Sequence, residues 1–210
     1  MGGWAADSSA LSGSHNVLFR YWKLLCLGLV IAVVGCGFGM YDGFAPLRPT
    51  DNFRVIEPGR AYRSAQLDAE TLKLVVDVLG IKTVINLRGE NESDAWYVNE
   101  KTALEAKNVE MIDVRMSARS LPPREELLKL YDAFQTAEEP ILIHCRAGAD
   151  RAGAASAIWR MVVLGDERAA AAQELCLCYG HFEPLTPAMD ELVRIFEPDR
   201  TWIETEYAEP

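Results

Sequence analysis

An α/β fold in a single domain, with a central, mainly parallel sheet flanked by helices, is predicted for residues 50–198 by three observations. Short β-rich runs alternate with amphipathic helical stretches from Thr50 onward. The run Ile141-Leu142-Ile143 is apolar without alternation, as in strands of a parallel sheet covered on both faces. A cysteine-containing loop joins that run to an Ala-rich helical stretch, and sheets of this kind bind ligands at such carboxyl ends. Half of the 210 residues are hydrophobic and a quarter charged, which suits one globular domain with a core.

The elements are taken in chain order. Asp68 can cap a helix in which Leu72, Val75, Val76 and Leu79 repeat at i, i+3, i+4 and i+7, and Gly80 ends it. Thr83 to Leu87 is a short β-rich run that leads into an Arg88-Gly89 turn. A second helix is expected from Ser93 to about Lys107, then a strand from Val109 to Arg115. Pro122-Pro123 opens a third helix, with Glu125 and Glu126 favouring its N-terminal dipole and Leu127, Leu130, Tyr131 and Phe134 forming its apolar face. After the Glu138-Glu139-Pro140 break comes the buried run, then His144-Cys145-Arg146-Ala147-Gly148-Ala149-Asp150-Arg151. A helix runs on to about Leu164, with Gly165 as its stop. Trp96 and Trp159 fit helical core positions. Cys176 and Cys178, in a helical stretch, read as packed core cysteines, and three cysteines outside the apolar N-terminal run are no disulfide framework. Together these favour a reducing compartment. Residues 199–210 read as a C-terminal tail.

The chemistry concentrates where Cys145 stands between a buried strand and a helix N-terminus. His immediately before it, Gly three places after and Arg six places after complete an H-C-x-x-G-x-x-R pattern. This resembles the signature of the cysteine-dependent tyrosine and dual-specificity phosphatases. The likeness extends to Tyr62-Arg63-Ser64-Ala65-Gln66 and to the stretch from Gly80 to Gly89, which look like the early strands of small atypical dual-specificity phosphatases of bacteria. It covers about residues 52–197.

The resemblance implies a phosphomonoester hydrolase that works through a phosphocysteine and needs no metal or other cofactor, and physics explains the residue types. A thiol among convergent N–H groups at a helix N-terminus loses its proton more readily than in water. The backbone of Arg146, Ala147, Gly148, Ala149, Asp150 and Arg151 would curl its N–H groups around a phosphoryl dianion. Arg151 would close the cradle with a planar fork that tracks two phosphoryl oxygens into the transition state. His144 reads as a residue that orients the loop rather than a base.

Two departures from the family pattern stand out. The loop Met116 to Pro123, where tyrosine phosphatases carry the Asp that protonates the leaving oxygen, holds no carboxylate. Asp113 lies in the strand before it, at a distance from Cys145 typical of the family acid. Asp150 directly precedes Arg151, as in myotubularins and bacterial phosphatases with a Lys-Asp-Arg loop, where that Asp is assigned as the acid; beside two negative charges a carboxyl keeps its proton. Asp150 is therefore the preferred acid and Asp113 the alternative. The second departure is Ala152, where the family has Ser or Thr to help the thiolate leave. It predicts slow hydrolysis of the phosphocysteine and leaves room for a phosphate-binding pseudophosphatase.

The substrate stays open at this stage. A phosphorylated protein, with phosphotyrosine in a deep slot, is the first expectation. Phosphoinositides or inositol polyphosphates would need further cationic side chains, for which Arg146 and Arg119 are candidates. Arg88 and Glu90 stand on the expected active-site side, as substrate contacts or as a structural ion pair. A rhodanese-type sulfur transferase also places a cysteine after a strand but lacks the six-place spacing to Arg. His181 reads as a satisfied packing residue.

Arg20, Lys23 and Asp7 are the only charged side chains among the first 40 residues, so the rest carries 19 basic and 30 acidic groups, a formal −11. Such a surface repels phosphate backbones and argues against nucleic-acid partners. Residues 1–23 form a polar leader, and no charge occurs in the run from Leu24 to Met40. Residues 24–41 are thus read as a membrane anchor, an export signal or, from Val33-Val34-Gly35-Cys36, a lipoprotein signal. Arg20 and Lys23 before it are balanced by Arg48, Arg54 and Arg60 after it, so the side of the membrane is not assigned.

Overall fold

The computed structural model describes residues 47–208; the leader and the apolar run at 24–41 lie outside them. Among the described residues no helix is long and apolar enough to cross a membrane. Five strands, β1 (Arg54–Glu57), β2 (Ala61–Ser64), β3 (Thr83–Asn86), β4 (Glu110–Asp113) and β5 (Ile141–His144), form one sheet in the order β1-β2-β5-β3-β4. Only the edge pair β1 and β2 is antiparallel. This is the mainly parallel α/β fold expected from the alternation of runs.

The connections are helical: α1 (Ala69–Leu79) between β2 and β3, α2 (Ala95–Glu105) between β3 and β4, and α3 (Arg124–Thr136) between β4 and β5. Asp68 accepts the Thr71 N–H at 2.8 Å and Gly80 caps the other end of α1 with positive φ, so both predicted boundaries of that helix hold. After β5 come α4 (Asp150–Trp159), a π-helical turn (Arg160–Leu164), α5 (Arg168–Ala171), α6 (Pro187–Ile195) and α7 (Arg200–Thr205). Ile85, Ile141 and Ile143 join the core cluster with Leu127 and Leu130 of α3, Ala154 and Ile158 of α4, and Leu192 of α6. Val84 and Leu142 are buried outside that cluster, as strand alternation requires of residues pointing to the opposite face.

Three expectations are corrected. Residues 199–208 are no free tail, since Ile203 and Tyr207 are fully buried, the Tyr207 hydroxyl donates to Pro122 O and Arg124 donates to Tyr207 O. Cys176 and Cys178 are not core cysteines on a helix: they form a disulfide in an exposed stretch of 3-10 turns, so the inference from cysteine usage to a reducing compartment loses its basis. Two cysteines separated by one residue diverge on an α-helix, and here the chain forms no α-helix that would hold them apart. Trp96 is not a core residue either; it is half-buried and lies under the Arg88 guanidinium, while Trp159 is fully buried as expected.

Register places the site. Ser64, His144, Asn86 and Asp113 are aligned across β2, β5, β3 and β4 in one row at the carboxyl ends of the parallel strands. The segments that leave these four strand ends all project from the same edge of the sheet. The loop after the central strand β5 is therefore surrounded by Ala65 and Gln66, by Leu87 and Arg88, and by the segment that leads to Met116.

Candidate active site

Cys145 is buried at the first position beyond β5, and its Sγ accepts the Gly148 N–H at 3.2 Å across the loop. Four consecutive loop carbonyls are held by donors from elsewhere in the chain. Gln66 N–H donates to Arg146 O at 3.3 Å, and Asn52 Nδ2 to Ala147 O at 3.0 Å. Arg63 Nη2 donates to Gly148 O at 2.7 Å and to Ala149 O at 3.0 Å. With the carbonyl edges of these peptides engaged outward, their N–H edges are left for the inside of the ring, where Sγ lies. Gly148 has φ +70° and passes so close to β2 that a Cβ would stand 2.6 Å from Ala65 N and 2.9 Å from Ser64 O. Glycine is required here by backbone conformation and by space together.

Arg63 is the residue that sequence reading missed. It is fully buried in β2, and besides the two loop carbonyls it donates to Glu174 O at 2.8 Å and Glu174 Oε2 at 3.0 Å. Burial lowers its pKa and the Glu174 carboxylate opposes that shift, so the charge is retained by a partner in the low-dielectric interior. A signal existed in the sequence: an arginine inside a four-residue strand of otherwise small or aromatic residues needs an internal acceptor.

Arg151, in the first turn of α4, donates through Nη1 to Leu87 O and Met116 O, each at 3.3 Å. These carbonyls lie just beyond β3 and β4 and fix the guanidinium over the loop. Its Nε is buried and has no protein acceptor among the described residues. His144 points away from the ring: its Nε2 lies 2.8 Å from Glu100 Oε1 on α2. Burial alone would raise the Glu100 pKa, but His144, Gln66 and Arg88 outweigh it and hold the carboxyl below its ordinary range. Gln66 links this pair to Arg88, donating to Glu100 at 2.8 Å and accepting from Arg88 at 2.8 Å.

The two candidate acids sit in different surroundings. Both oxygens of Asp113 are engaged, Oδ1 by Asn86 Nδ2 at 2.7 Å and Oδ2 by the Tyr97 hydroxyl at 2.6 Å. Burial and that carboxylate raise the Tyr97 pKa, so the phenol stays a donor. Asp150 is the first residue of α4, beside Arg151. Its Oδ1 accepts from Thr186 Oγ1 and lies 2.8 Å from His181 Nδ1, while Oδ2 has no protein partner among the described residues. A quarter of its side chain is exposed.

The family described as "DSP-PTPase phosphatase fused to NAD+ Kinase" matches residues 50–186, a span that contains the whole loop and every strand of the sheet. The chain belongs to the DSP-PTPase phosphatases. Solved phosphatases share the fold. The TpbA protein of P. aeruginosa is 27% identical with a TM-score of 0.58, over 76% of this chain and 94% of that one. A Cys-to-Ser variant of TpbA solved with phosphotyrosine is similar at 25% identity and a TM-score of 0.59, with the same coverage. The core catalytic domain of the PP-IP phosphatase SIW14 from S. cerevisiae, with citrate, is 20% identical with a TM-score of 0.60, over 74% of this chain and 91% of that one. No curated protein matches in sequence.

At the carboxyl edge of its sheet the chain presents Cys145, a loop whose carbonyls are held outward, and Arg151. The segment from Glu174 to Thr186 braces this site. Glu174 holds Arg63, Tyr179 O accepts from Asn52 at 2.8 Å, and His181 and Thr186 hold Asp150. His181 does pack in the interior, as its sequence context suggests, but both of its nitrogens face carboxylates. Only the fold reveals this, because its partners lie 31 and nine positions away.

Proposed function

We propose that the chain is a phosphatase of protein-tyrosine or dual-specificity type, hydrolysing phosphomonoesters through a phosphocysteine on Cys145. The observation that carries this reading is the outward engagement of four consecutive loop carbonyls around the Cys145 sulfur. Donors fixed before the substrate arrives need no reorganisation as charge develops on the phosphoryl oxygens, and Arg151 adds a planar cation. The likeness to TpbA, one variant of which was solved with phosphotyrosine, supports an aryl phosphate as substrate.

Cys145 attacks phosphorus and the leaving oxygen takes a proton from Asp150; water then cleaves the P–S bond and returns a proton to Asp150. Asp150 is preferred over Asp113 because one of its oxygens is unengaged while both oxygens of Asp113 accept hydrogen bonds. Cys145→Ser should abolish turnover of an aryl phosphate and retain binding of inorganic phosphate or vanadate; retained turnover would refute the mechanism. A wild-type chain that binds phosphate without releasing product would be a phosphate-binding module instead. For the acid, Asp150→Asn is expected to lower kcat/KM by about 10²-fold for phenyl phosphate and far less for 4-nitrophenyl phosphate, whereas Asp113→Asn should show no such selectivity.

A second reading, an inositol polyphosphate or phosphoinositide phosphatase, is favoured by Arg88. Its guanidinium stacks 3.3 Å from the Trp96 ring centroid, has a neutral partner in Gln66, and has its pKa lowered by burial and by repulsion from Arg151 and Arg146. Guanidinium groups gathered in this way suit a substrate with a second phosphate. Comparing Arg88→Ala on an inositol polyphosphate and on a phosphotyrosine peptide separates the two, since a selective rise in KM for the polyphosphate supports this reading. The apolar run at 24–41 is proposed to hold the domain at a membrane. Recovery of the full chain in a salt-washed soluble fraction would contradict that.

A further inference from the structure

We infer that His181 and Asp190 form a charge-compensating support behind Asp150, setting how readily it gives its proton to the leaving oxygen; this rests on Asp150 being the acid. His181 Nδ1 lies 2.8 Å from Asp150 Oδ1, and Nε2 lies 2.9 Å from Asp190 Oδ2. A ring nitrogen and a carboxylate oxygen approach this closely only with a proton between them, so each of the two contacts holds one proton, shared between the imidazole and the carboxyl it faces. The imidazole is 3% exposed, and Asp150 and Asp190 are the two partly exposed ends of the chain of three groups. Thr186 Oγ1 donates to the same Asp150 Oδ1 at 2.8 Å, so that oxygen is held by two groups and Oδ2 is the one without a protein partner among the described residues.

The geometry divides the labour between the two oxygens. As the P–S bond to Cys145 forms, the bond from phosphorus to the leaving oxygen breaks, and that oxygen keeps the electron pair and takes the proton from Asp150 Oδ2. Asp150 is left as a carboxylate close to a transferring phosphoryl group. The cation on His181 offsets this new charge from behind, and Asp190 keeps the ring oriented and charged. In the second step water attacks phosphorus, its proton passes to Oδ2, and the P–S electron pair returns to sulfur. The support also ties α6, which carries Asp190, to the first residue of α4. His181 and Asp190 are thus positioning residues, acting through Asp150 without touching the substrate.

The test compares kcat/KM for phenyl phosphate and 4-nitrophenyl phosphate, which bind alike but differ in their need for a proton. His181→Asn retains a side-chain amide to donate to Asp150 but carries no charge; Asp190→Asn, on a partly exposed residue, is the second variant should the first fold poorly. Each is expected to lose about tenfold on phenyl phosphate and no more than about twofold on 4-nitrophenyl phosphate, with vanadate inhibition unchanged. Parallel losses on both substrates, or none on either, would overturn the inference and leave His181 as packing. If Asp150→Asn itself shows no leaving-group selectivity, the acid assignment fails and the support falls with it. Selectivity in Asp150→Asn but in neither of the other variants removes the support alone.

Discussion

Arg63 and Ala152 show what single side chains decide in this site. Arg63 places a guanidinium in the interior, where an uncompensated charge would be very costly, and pairs its two Nη atoms with three backbone carbonyls and one carboxylate. The hydrogen bonds to Gly148 O and Ala149 O that stabilise the charge also hold the loop. Ala152 is fully buried one position after Arg151 and has no hydroxyl to offer the departing thiolate. Ala152→Ser is expected to speed phosphocysteine hydrolysis several-fold without changing its formation, shrinking the pre-steady-state burst of phenol relative to turnover. An unchanged burst in a correctly folded variant would show that the second step does not depend on this position.

Among the elements, α7 is tested most simply. Ile203 is fully buried on a six-residue helix that packs against α3. Ile203→Ala should cost about 2–5 kcal/mol by urea denaturation while kcat/KM at low temperature stays near wild type. A loss below about 0.5 kcal/mol would mean that the helix is dispensable. Elements with strong local signals were legible in the sequence: α1 has an Asp cap, a four-residue apolar face and a terminal Gly, and β5 is three apolar residues between a proline and the Cys motif. Cys145, Gly148 and Arg151 were legible because their spacing is local. The C-terminal helix, the disulfide and the roles of Arg63 and His181 were not. The disulfide joins residues only two apart and was missed because that stretch reads as helical, whereas the others depend on partners far away in sequence, such as Pro122 for Tyr207, Gly148 for Arg63 and Asp150 for His181. Periodicity reports which face is apolar, and it carries no information on which distant polar atom will meet a buried one.

At the scale of the whole molecule, the chain of contacts from His144 through Glu100 and Gln66 to Arg88 joins the sheet to α2 and makes stability depend on acid. The Glu100 pKa is depressed in the folded state, so the folded protein binds its proton less readily than the unfolded chain. Its contribution is therefore present above the ordinary glutamate value of about 4.3 and is lost as pH falls through the lower folded value. Glu100→Gln should be less stable than wild type by about 1–3 kcal/mol at pH 7, with the gap narrowing below about pH 4. A gap of constant size across that range in urea melts would rule out this coupling.

The strand order has a kinetic meaning as well. The central strand β5 is the last to appear in the sequence, yet it pairs with both β2 and β3, on either side of it. Without β5, a gap one strand wide would separate β2 from β3. Closing the gap requires long chain segments to be brought together first, a step that slows folding. The catalytic loop begins at the residue where β5 ends, and its carbonyls are held by β2 and its neighbours. The ring around Cys145 therefore exists only where β5 is seated between β2 and β3.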